Sequence, residues 1–369
     1  MKFVRWEDLK SGMRLARPIY SKSGVLLFER NSKLTSAAID SVKNFGLLGI
    51  YILEPAEPLP PMSEEDMEFE RFEIKTVSTL QDELERIITT KRYKNLPTIA
   101  SQIIRAYGHL EEKVNVYQNL RSRDDFVCRH MFNTAILAAM ITHRMNVPLD
   151  EQLQTVNAAL LHDIGKMKSS NPAIFGGETN PALQSSLQAE MISGLDVLEQ
   201  AFSGDGPALK RICTQAIRNQ ADADAGVEIK GRKTLTGAKI LMVANRFDEL
   251  TGMSLSGESE SEVAAIKEFQ DRSDVYDPVA VKALIDSIYI LFPGVSVVLN
   301  TGEKALVLAE NTENILKPSV LCFRDNSVLD LSLWSNTDIW VSDVMKTLDN
   351  RYIMDMDALK QVGGGTANA

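Results

Sequence analysis

The chain has 369 residues, 44% of them hydrophobic, and a formal net charge of −10. A chain of this length can bury a substantial core and form two or three domains without disulfides. The negative charge argues against nucleic acid or anionic lipid as a partner, since both are polyanions. No apolar run reaches the roughly 20 residues of a membrane span, and the first residues do not form a secretory signal. Three widely spaced cysteines are expected to be free thiols in a reducing cytoplasm.

Residues 1–57 are predicted to form a small α/β domain. Two strand-forming runs flank the Ser-Lys-Ser-Gly sequence at 21–24, which is typical of a hairpin turn. Thr35 is expected to cap the helix that follows. Four prolines within 55–61 then indicate a stiff linker and a domain boundary.

Residues 58–121 are predicted to form this linker and two or three N-terminal helices, since charged and apolar residues interleave at helical spacing. These helices either form the contact of a homodimer or cover the core of the next domain. The second interpretation is favoured, because any amphipathic helix in a bundle shows this pattern.

Residues 122–293 have the pattern of an all-α bundle. The first predicted helix starts at Asp124-Asp125 and carries His130. The others cover 149–166, 183–201, 207–219, 236–252 and 277–291. Polar loops at 169–180 and 220–233 lie where a substrate would enter.

Residues 294–345 are predicted to form a β-rich C-terminal extension, and 346–369 a tail that is disordered at its Gly-rich end. The strand-forming runs lie at 295–299, 305–308 and 319–323. The expected fold is therefore mainly α, with a helical bundle between a small α/β domain and a short β appendage.

A candidate metal site lies at the end of the predicted helix 149–166. His162 and Asp163 follow an apolar run there, so that both side chains can reach one divalent cation. His130, near the start of an earlier helix, is a candidate third ligand. On a later helix Asn245 stands where a carboxylate would complete a His, His-Asp, Asp set.

This order of residues, with Gly165 and Lys166 after the His-Asp pair, resembles the HD superfamily of metal-dependent phosphohydrolases. The HD-GYP branch fits best, over about residues 126–284. The resemblance implies an HD-type helical bundle that holds two or three metal ions, often iron, and hydrolyses the bacterial second messenger cyclic di-GMP. It also implies that Asp163 takes part in catalysis and that Lys166 contacts the substrate phosphate.

Several positions depart from the HD-GYP pattern. Glu190 stands where the family has a histidine and would offer a charged oxygen ligand instead. Asn219 and Gln220 replace ligands of the second metal, and the Gly-Tyr-Pro signature has no counterpart. Asn245 keeps a carbonyl oxygen but lacks the charge of aspartate. The expected site holds at most one iron or manganese ion, and its ligand set is His130, His162, Asp163, Glu190 and Asn245.

The sequence favours a degenerate HD-GYP-like protein of cyclic di-GMP signalling that binds nucleotide or serves as a scaffold for signalling proteins. A residual single-metal phosphodiesterase acting on cyclic di-GMP or another nucleotide is the alternative. A third interpretation is an interaction protein like the related HDOD modules, which the retention of the His-Asp pair, His130 and Lys166 argues against. The sequence does not decide whether metal is still bound.

Overall fold

The protein is described here by a computed structural model that covers residues 2–21, 24–53, 64–115, 120–175, 180–253 and 259–345. The predicted stiff linker at 55–61 and the predicted tail at 346–369 lie outside these residues. Along the described chain, a small α/β domain, a helical bundle and an antiparallel sheet follow one another, which confirms the expected mainly α fold class. No helix of this part of the chain combines the length and apolar character that crossing a bilayer requires.

The N-terminal domain packs one helix against short strands. Its elements are β1 (Lys2–Arg5), β2 (Arg14–Leu15), β3 (Ile19–Tyr20), β4 (Leu26–Phe28), α1 (Ser36–Asn44) and β5 (Gly49–Leu53). Strand β5 lies between β1 and β2 in an antiparallel sheet, and β3 and β4 form a hairpin across the predicted turn. As predicted, Thr35 caps α1, because its hydroxyl accepts a hydrogen bond from the Ala38 amide.

Helices make up the next part of the chain. They are α2 (Glu64–Thr90), α3 (Leu96–Tyr107), α4 (Phe126–Arg144), α5 (Leu149–Leu161), α6 (Pro181–Gly194), α7 (Asp196–Ala201), α8 (Gly206–Asp224), α9 (Thr236–Thr251), α10 (Glu262–Asp271) and α11 (Pro278–Ser287). Helix α4 is central, since it contacts α3, α5, α9 and α11. Every side chain from His130 to Thr142 is buried, as expected for a helix of mostly Ala, Ile, Met and Thr with neighbours all round.

Several predicted helix boundaries were wrong. The helix predicted over 149–166 ends at Leu161, and the one predicted over 277–291 ends at Ser287. The single helix predicted over 183–201 is interrupted at Leu195, where the backbone tightens and the Leu195 amide bonds to the Ile192 carbonyl. The loop predicted from 220 starts only after Asp224, because α8 continues. Gln220 Nε2 donates to the Asp224 carboxylate one turn later, at 3.0 Å, which stabilises that last turn.

Two glycines allow α6 to lie against the 3-10 turn (Ile164–Lys168) that follows α5. A Cβ added to Gly194 would lie 2.3 Å from Gly165 Cα, and one added to Gly165 would lie 2.3 Å from the Glu190 carbonyl oxygen. Neither position can accept a side chain without displacing backbone. The contact fixes α6 beside the end of α5, where the candidate site lies.

The C-terminal sheet has the strand order β10-β6-β7-β8-β9. Its strands are β6 (Ser296–Leu299), β7 (Lys304–Ala309), β8 (Ser319–Cys322), β9 (Val328–Asp330) and β10 (Val341–Val344). The first three match the predicted runs, whereas β9 and β10 were not predicted. Val297, Val307 and Val320 point into the same hydrophobic core as the helices, so the sheet is packed on the bundle.

Candidate metal centre

The His-Asp pair, His130 and Asn245 come together inside the bundle. His130 lies in the first turns of α4, His162 ends α5 with Asp163 directly after it, and Asn245 lies on α9. The three ionisable side chains are only 5%, 2% and 1% exposed. Their potential ligand atoms all lie within 4.8 Å of one another, which is a distance suited to one shared ion.

Hydrogen bonds on the far side of each imidazole fix its tautomer. His130 Nδ1 lies 2.6 Å from Asp248 Oδ2, and His162 Nδ1 lies 2.8 Å from the Ala159 carbonyl oxygen. A carboxylate and a carbonyl can only accept, so each Nδ1 carries the proton. In the neutral form of each ring, Nε2 therefore presents a lone pair to the centre of the site.

The Nε2 atoms of His130 and His162 and the Asn245 side-chain oxygen face one position between the three side chains. Asn245 Oδ1 lies 2.9 Å from His130 Nε2 and 2.8 Å from His162 Nε2, and the two nitrogens are 3.3 Å apart. Asp163 carboxylate oxygens lie 3.6 Å and 3.8 Å from the same nitrogens. Its Oδ1 is buried and has no hydrogen-bond partner among the residues that the structure describes. Such an arrangement of acceptors is stable only with a cation among them.

The donor set fits a divalent metal. Two imidazole nitrogens, a carboxylate and an amide oxygen are ligands that iron, manganese and zinc accept. A proton is the competing cation. Burial alone would lower the pKa of His130, but its hydrogen bond to Asp248 and the nearby carboxylates raise it. Burial lowers the pKa of His162 more than Asp163 raises it, so that His162 is the neutral ligand of the pair.

A buried ion network holds His130 from behind. Asp248 accepts from Arg121 Nη2 at 2.7 and 2.8 Å and from Asn133 Nδ2 at 3.0 Å, besides its bond to His130. Burial would raise the pKa of Asp248, but the Arg121 guanidinium and the His130 hydrogen bond hold it well below its usual range. Asp248 therefore remains an anion that orients the imidazole.

Lys166 lies beside Asp163 on the side of the site that faces a cavity. Its Nζ lies 2.5 Å from Asp163 Oδ2. Burial would raise the pKa of Asp163, but the Lys166 ammonium and both imidazoles lower it to about 2. Conversely, Asp163 and Glu249 raise the pKa of Lys166 against the effect of burial. The pair is thus ionised at neutral pH.

The other residues named from the sequence lie elsewhere. Glu190 is not brought to the His-Asp pair: it lies on α6 and its Oε1 accepts from Ser186 at 3.3 Å, while its neighbours on that helix line the cavity. Asn219 is bonded to Thr234 and Arg232. Gln220 reaches the cavity, where it bonds to Asp224 and to the Tyr276 hydroxyl.

A cavity of about 900 Å³ opens over the centre. Asp163, Lys166, Asn245, Arg246 and Glu249 line it on the polar side. Apolar side chains line the rest, among them Leu187, Met191, Ile217, Leu241 and Met242. A space of this size accommodates a ligand of several hundred daltons.

A helical bundle with a buried His, His-Asp cluster at the end of one helix defines a metal-binding class of α protein. Residues 127–250 match the family model described as the HD domain. This segment of the chain is therefore an HD domain.

Among solved structures the chain is similar to Bd1817, an HDG"Y"P protein from Bdellovibrio bacteriovorus, with a TM-score of 0.41 and 13% identity, covering 77% of this chain and 98% of that one. A search of the curated proteins found no match.

Sequence reasoning missed the residues behind the ligands. Asp248 lies three residues after Asn245 on α9, and this spacing places both on one helix face, so helical periodicity could have indicated it. Arg121 precedes α4 and gave no local signal, because its partner is 127 residues away in the chain.

Proposed function

We propose that this protein is a degenerate HD-GYP-type module that holds one iron or manganese ion. In this proposal it binds a phosphate-bearing nucleotide such as cyclic di-GMP and hydrolyses it slowly or not at all. The observation that carries the proposal is the convergence of two imidazole lone pairs, the Asn245 carbonyl and the Asp163 carboxylate on one buried place. Nucleotide binding would let 122–293 act as a sensor or scaffold for signalling partners.

The ligands present account for one ion. His130, His162, Asp163 and Asn245 would hold it, and such an ion supplies Lewis-acid polarisation of a phosphate oxygen. Lys166 stands beside it in the cavity as a cation for the same phosphate. The cavity volume of about 900 Å³ leaves room for the bases and sugars against the apolar wall.

Weak hydrolysis is expected because amide side chains stand where the ligands of a second ion would be. Gln220 is an amide held by Asp224 and Tyr276, and Asn219 is held by Thr234, so neither offers a free charged ligand to the cavity. The Asn245 amide is neutral at all relevant pH and cannot accept a proton as a base. Clamping of both the attacking and leaving oxygens of a phosphodiester needs two metal ions.

A residual single-metal phosphodiesterase is the second candidate. The position of Lys166 favours it, because its ammonium remains charged and lines the cavity beside Asp163. In that case the one ion and Lys166 together would neutralise the charge on the phosphate in the transition state.

Elemental analysis tests the proposal on protein purified without oxygen and without added metal. The parent should carry at most one equivalent of iron or manganese. His162→Ala and Asp163→Ala should each lose it, whereas His109→Ala, which removes an exposed histidine outside the site, should keep it. Two or more equivalents, or unchanged metal in the first two variants, would contradict the ligand assignment.

Incubation of the same proteins with cyclic di-GMP then separates the two functions. Calorimetry should detect nucleotide binding that the His162→Ala variant weakens, and chromatography should detect little or no product. Multiple turnovers in the parent would overturn the binding role in favour of the phosphodiesterase. Absence of both metal and nucleotide binding would overturn the proposal as a whole.

A further inference from the structure

The segment 120–123, between α3 and α4, lies between two hydrophobic cores. Leu120 packs against the core of the N-terminal domain, which contains Val42 and Ile50. The next side chain, Arg121, points the other way into the bundle, is 2% exposed and lines the cavity over the metal centre. The side chains of two consecutive residues are thus packed in different domains.

Backbone hydrogen bonds attach the segment to the N-terminal domain. The Leu48 amide donates to the Arg121 carbonyl at 3.2 Å, and the Arg123 amide donates to the Gly46 carbonyl at 3.3 Å. Between them Leu47 and Ser122 form an antiparallel bridge. The main chain of Arg121 is therefore held from the N-terminal domain, at the turn between α1 and β5.

The side chain of Arg121 links this segment to the metal centre. Its Nη2 contacts both Asp248 oxygens, and the Asp248 carboxylate in turn fixes His130 Nδ1 at 2.6 Å. The guanidinium also lies 5.4 Å from the centroid of the Phe126 ring, which limits its freedom. Because all three charged groups are buried, displacement of Arg121 leaves the Asp248 charge uncompensated.

We infer that Arg121 is a positioning residue through which the N-terminal domain sets the orientation of His130 and so the metal affinity of the HD domain. This inference rests on the proposed metal centre. It assigns the N-terminal domain a regulatory role: a partner or ligand that loosens its contact with 120–123 releases Arg121 and weakens the site.

A double-mutant cycle on the full chain tests this path. Arg121→Met should lower the affinity for Mn²⁺, measured by calorimetry, by about 10- to 100-fold, as loss of groups behind metal ligands does. Leu120→Ala, which alters only the N-terminal side, should lower it by about 3- to 10-fold. In the Arg121→Met background Leu120→Ala should have no further effect, because the path is already broken.

Leu34→Ala is the matched control. Leu34 is buried in the same N-terminal core, and its backbone bonds go to Met13 and Gly12 instead of to 120–123. It should leave Mn²⁺ affinity unchanged although its loss of domain stability is equal or larger, because Leu34 is more deeply buried than Leu120. Equal losses in Leu34→Ala and Leu120→Ala, or additive losses in the cycle, would overturn the inference.

A second readout does not depend on metal. The ¹⁵N signals of the His130 ring in metal-free protein at fixed pH report which nitrogen carries the proton, and the chain has only four histidines to assign. The parent should show a protonated Nδ1, and Leu120→Ala should shift the signals toward those of Arg121→Met. Unchanged signals would overturn the inference. Shifted signals in a protein that binds no metal would support it while refuting the proposed function.

Discussion

Replacement of Asn245 by aspartate should raise the metal affinity of the centre and lower the stability of the metal-free protein. Asn245 Oδ1 lies within 2.9 Å of both ligand nitrogens, so a carboxylate there adds a full negative charge to the donor set. On its other side Asn245 Nδ2 donates to Glu249 Oε1 at 3.0 Å. Aspartate would put an oxygen in place of this donor, against a second carboxylate.

Both effects can be given a size. Two negative charges 3.0 Å apart repel by about 5.5 kcal/mol at an effective dielectric constant near 20 and by about 1.4 kcal/mol in water. The Glu249 side chain is 34% exposed, so we take about 1–2 kcal/mol as the loss of metal-free stability. A bound ion removes this repulsion, and about 1.4 kcal/mol corresponds to a tenfold gain in affinity.

Mn²⁺ titration by calorimetry and urea unfolding in a chelator measure the two effects on the parent, Asn245→Asp and Asn245→Leu. Affinity should rise at least about tenfold in the first variant and fall in the second, which has no oxygen ligand. Addition of Glu249→Gln should restore the metal-free stability of Asn245→Asp, since an amide donor replaces the repelling oxygen. Unchanged affinity in Asn245→Asp would refute the placement of Asn245 as a ligand, and rapid nucleotide hydrolysis would refute the loss of the second site.

Three further predictions concern the frame of the site. Glu83 Oε1 accepts hydrogen bonds from the Lys94, Asn95 and Leu96 amides at the start of α3. Glu83→Ala should therefore lower the free energy of unfolding by about 1–3 kcal/mol in urea titrations, and Glu83→Gln by much less. Equal destabilisation by the two variants would contradict the capping role. Asp277 caps α11 and pairs with Lys239 at 2.8 Å; burial raises its pKa, but the Lys239 hydrogen bond and the α11 amides lower it below 3.8. A carboxyl group whose pKa is depressed by folding stabilises the protein above its unfolded pKa, and this stabilisation is lost as the pH falls. Asp277→Asn, which keeps the cap, should therefore have a lower free energy of unfolding than the parent at about pH 6, and urea titrations should show this difference shrinking toward pH 3. A difference that stays constant with pH would contradict this. Gly194→Ala should destabilise by about 1–3 kcal/mol in thermal unfolding because its Cβ meets Gly165. Gly204→Ala should not, because no atom of the described residues lies within 4 Å of a Cβ added there.

The fold class was predictable because its signals are local. Helical spacing of apolar residues indicated the bundle, and β-branched runs indicated β6, β7 and β8. Strands β9 and β10 were missed because they are short and partly polar, so that their pairing in the sheet decides their structure. The end of α8 was missed because a single pair, Gln220 with Asp224, extends it.

The candidate site was predictable only in part. His162 and Asp163 are adjacent in sequence, and their chemistry is visible without a structure. Glu190 was expected to join them, but the rotation of α6 is set by the backbone contact between Gly165 and Gly194, which places Leu187 and Met191 at the cavity instead. A contact between two backbones leaves no side-chain pattern from which to predict it.

The separation of the ligands along the chain has a consequence for folding. His130 and His162 are 32 residues apart, and His162 and Asn245 are 83 residues apart. Such non-local contacts form late, after the helices that carry them have packed. A metal ion bound at this site would therefore enter a folded bundle. It would not nucleate folding, as the metal of a zinc finger does. During synthesis the complete set of ligands exists only after α9 has emerged, and in stopped-flow experiments metal should slow unfolding while leaving the refolding rate unchanged.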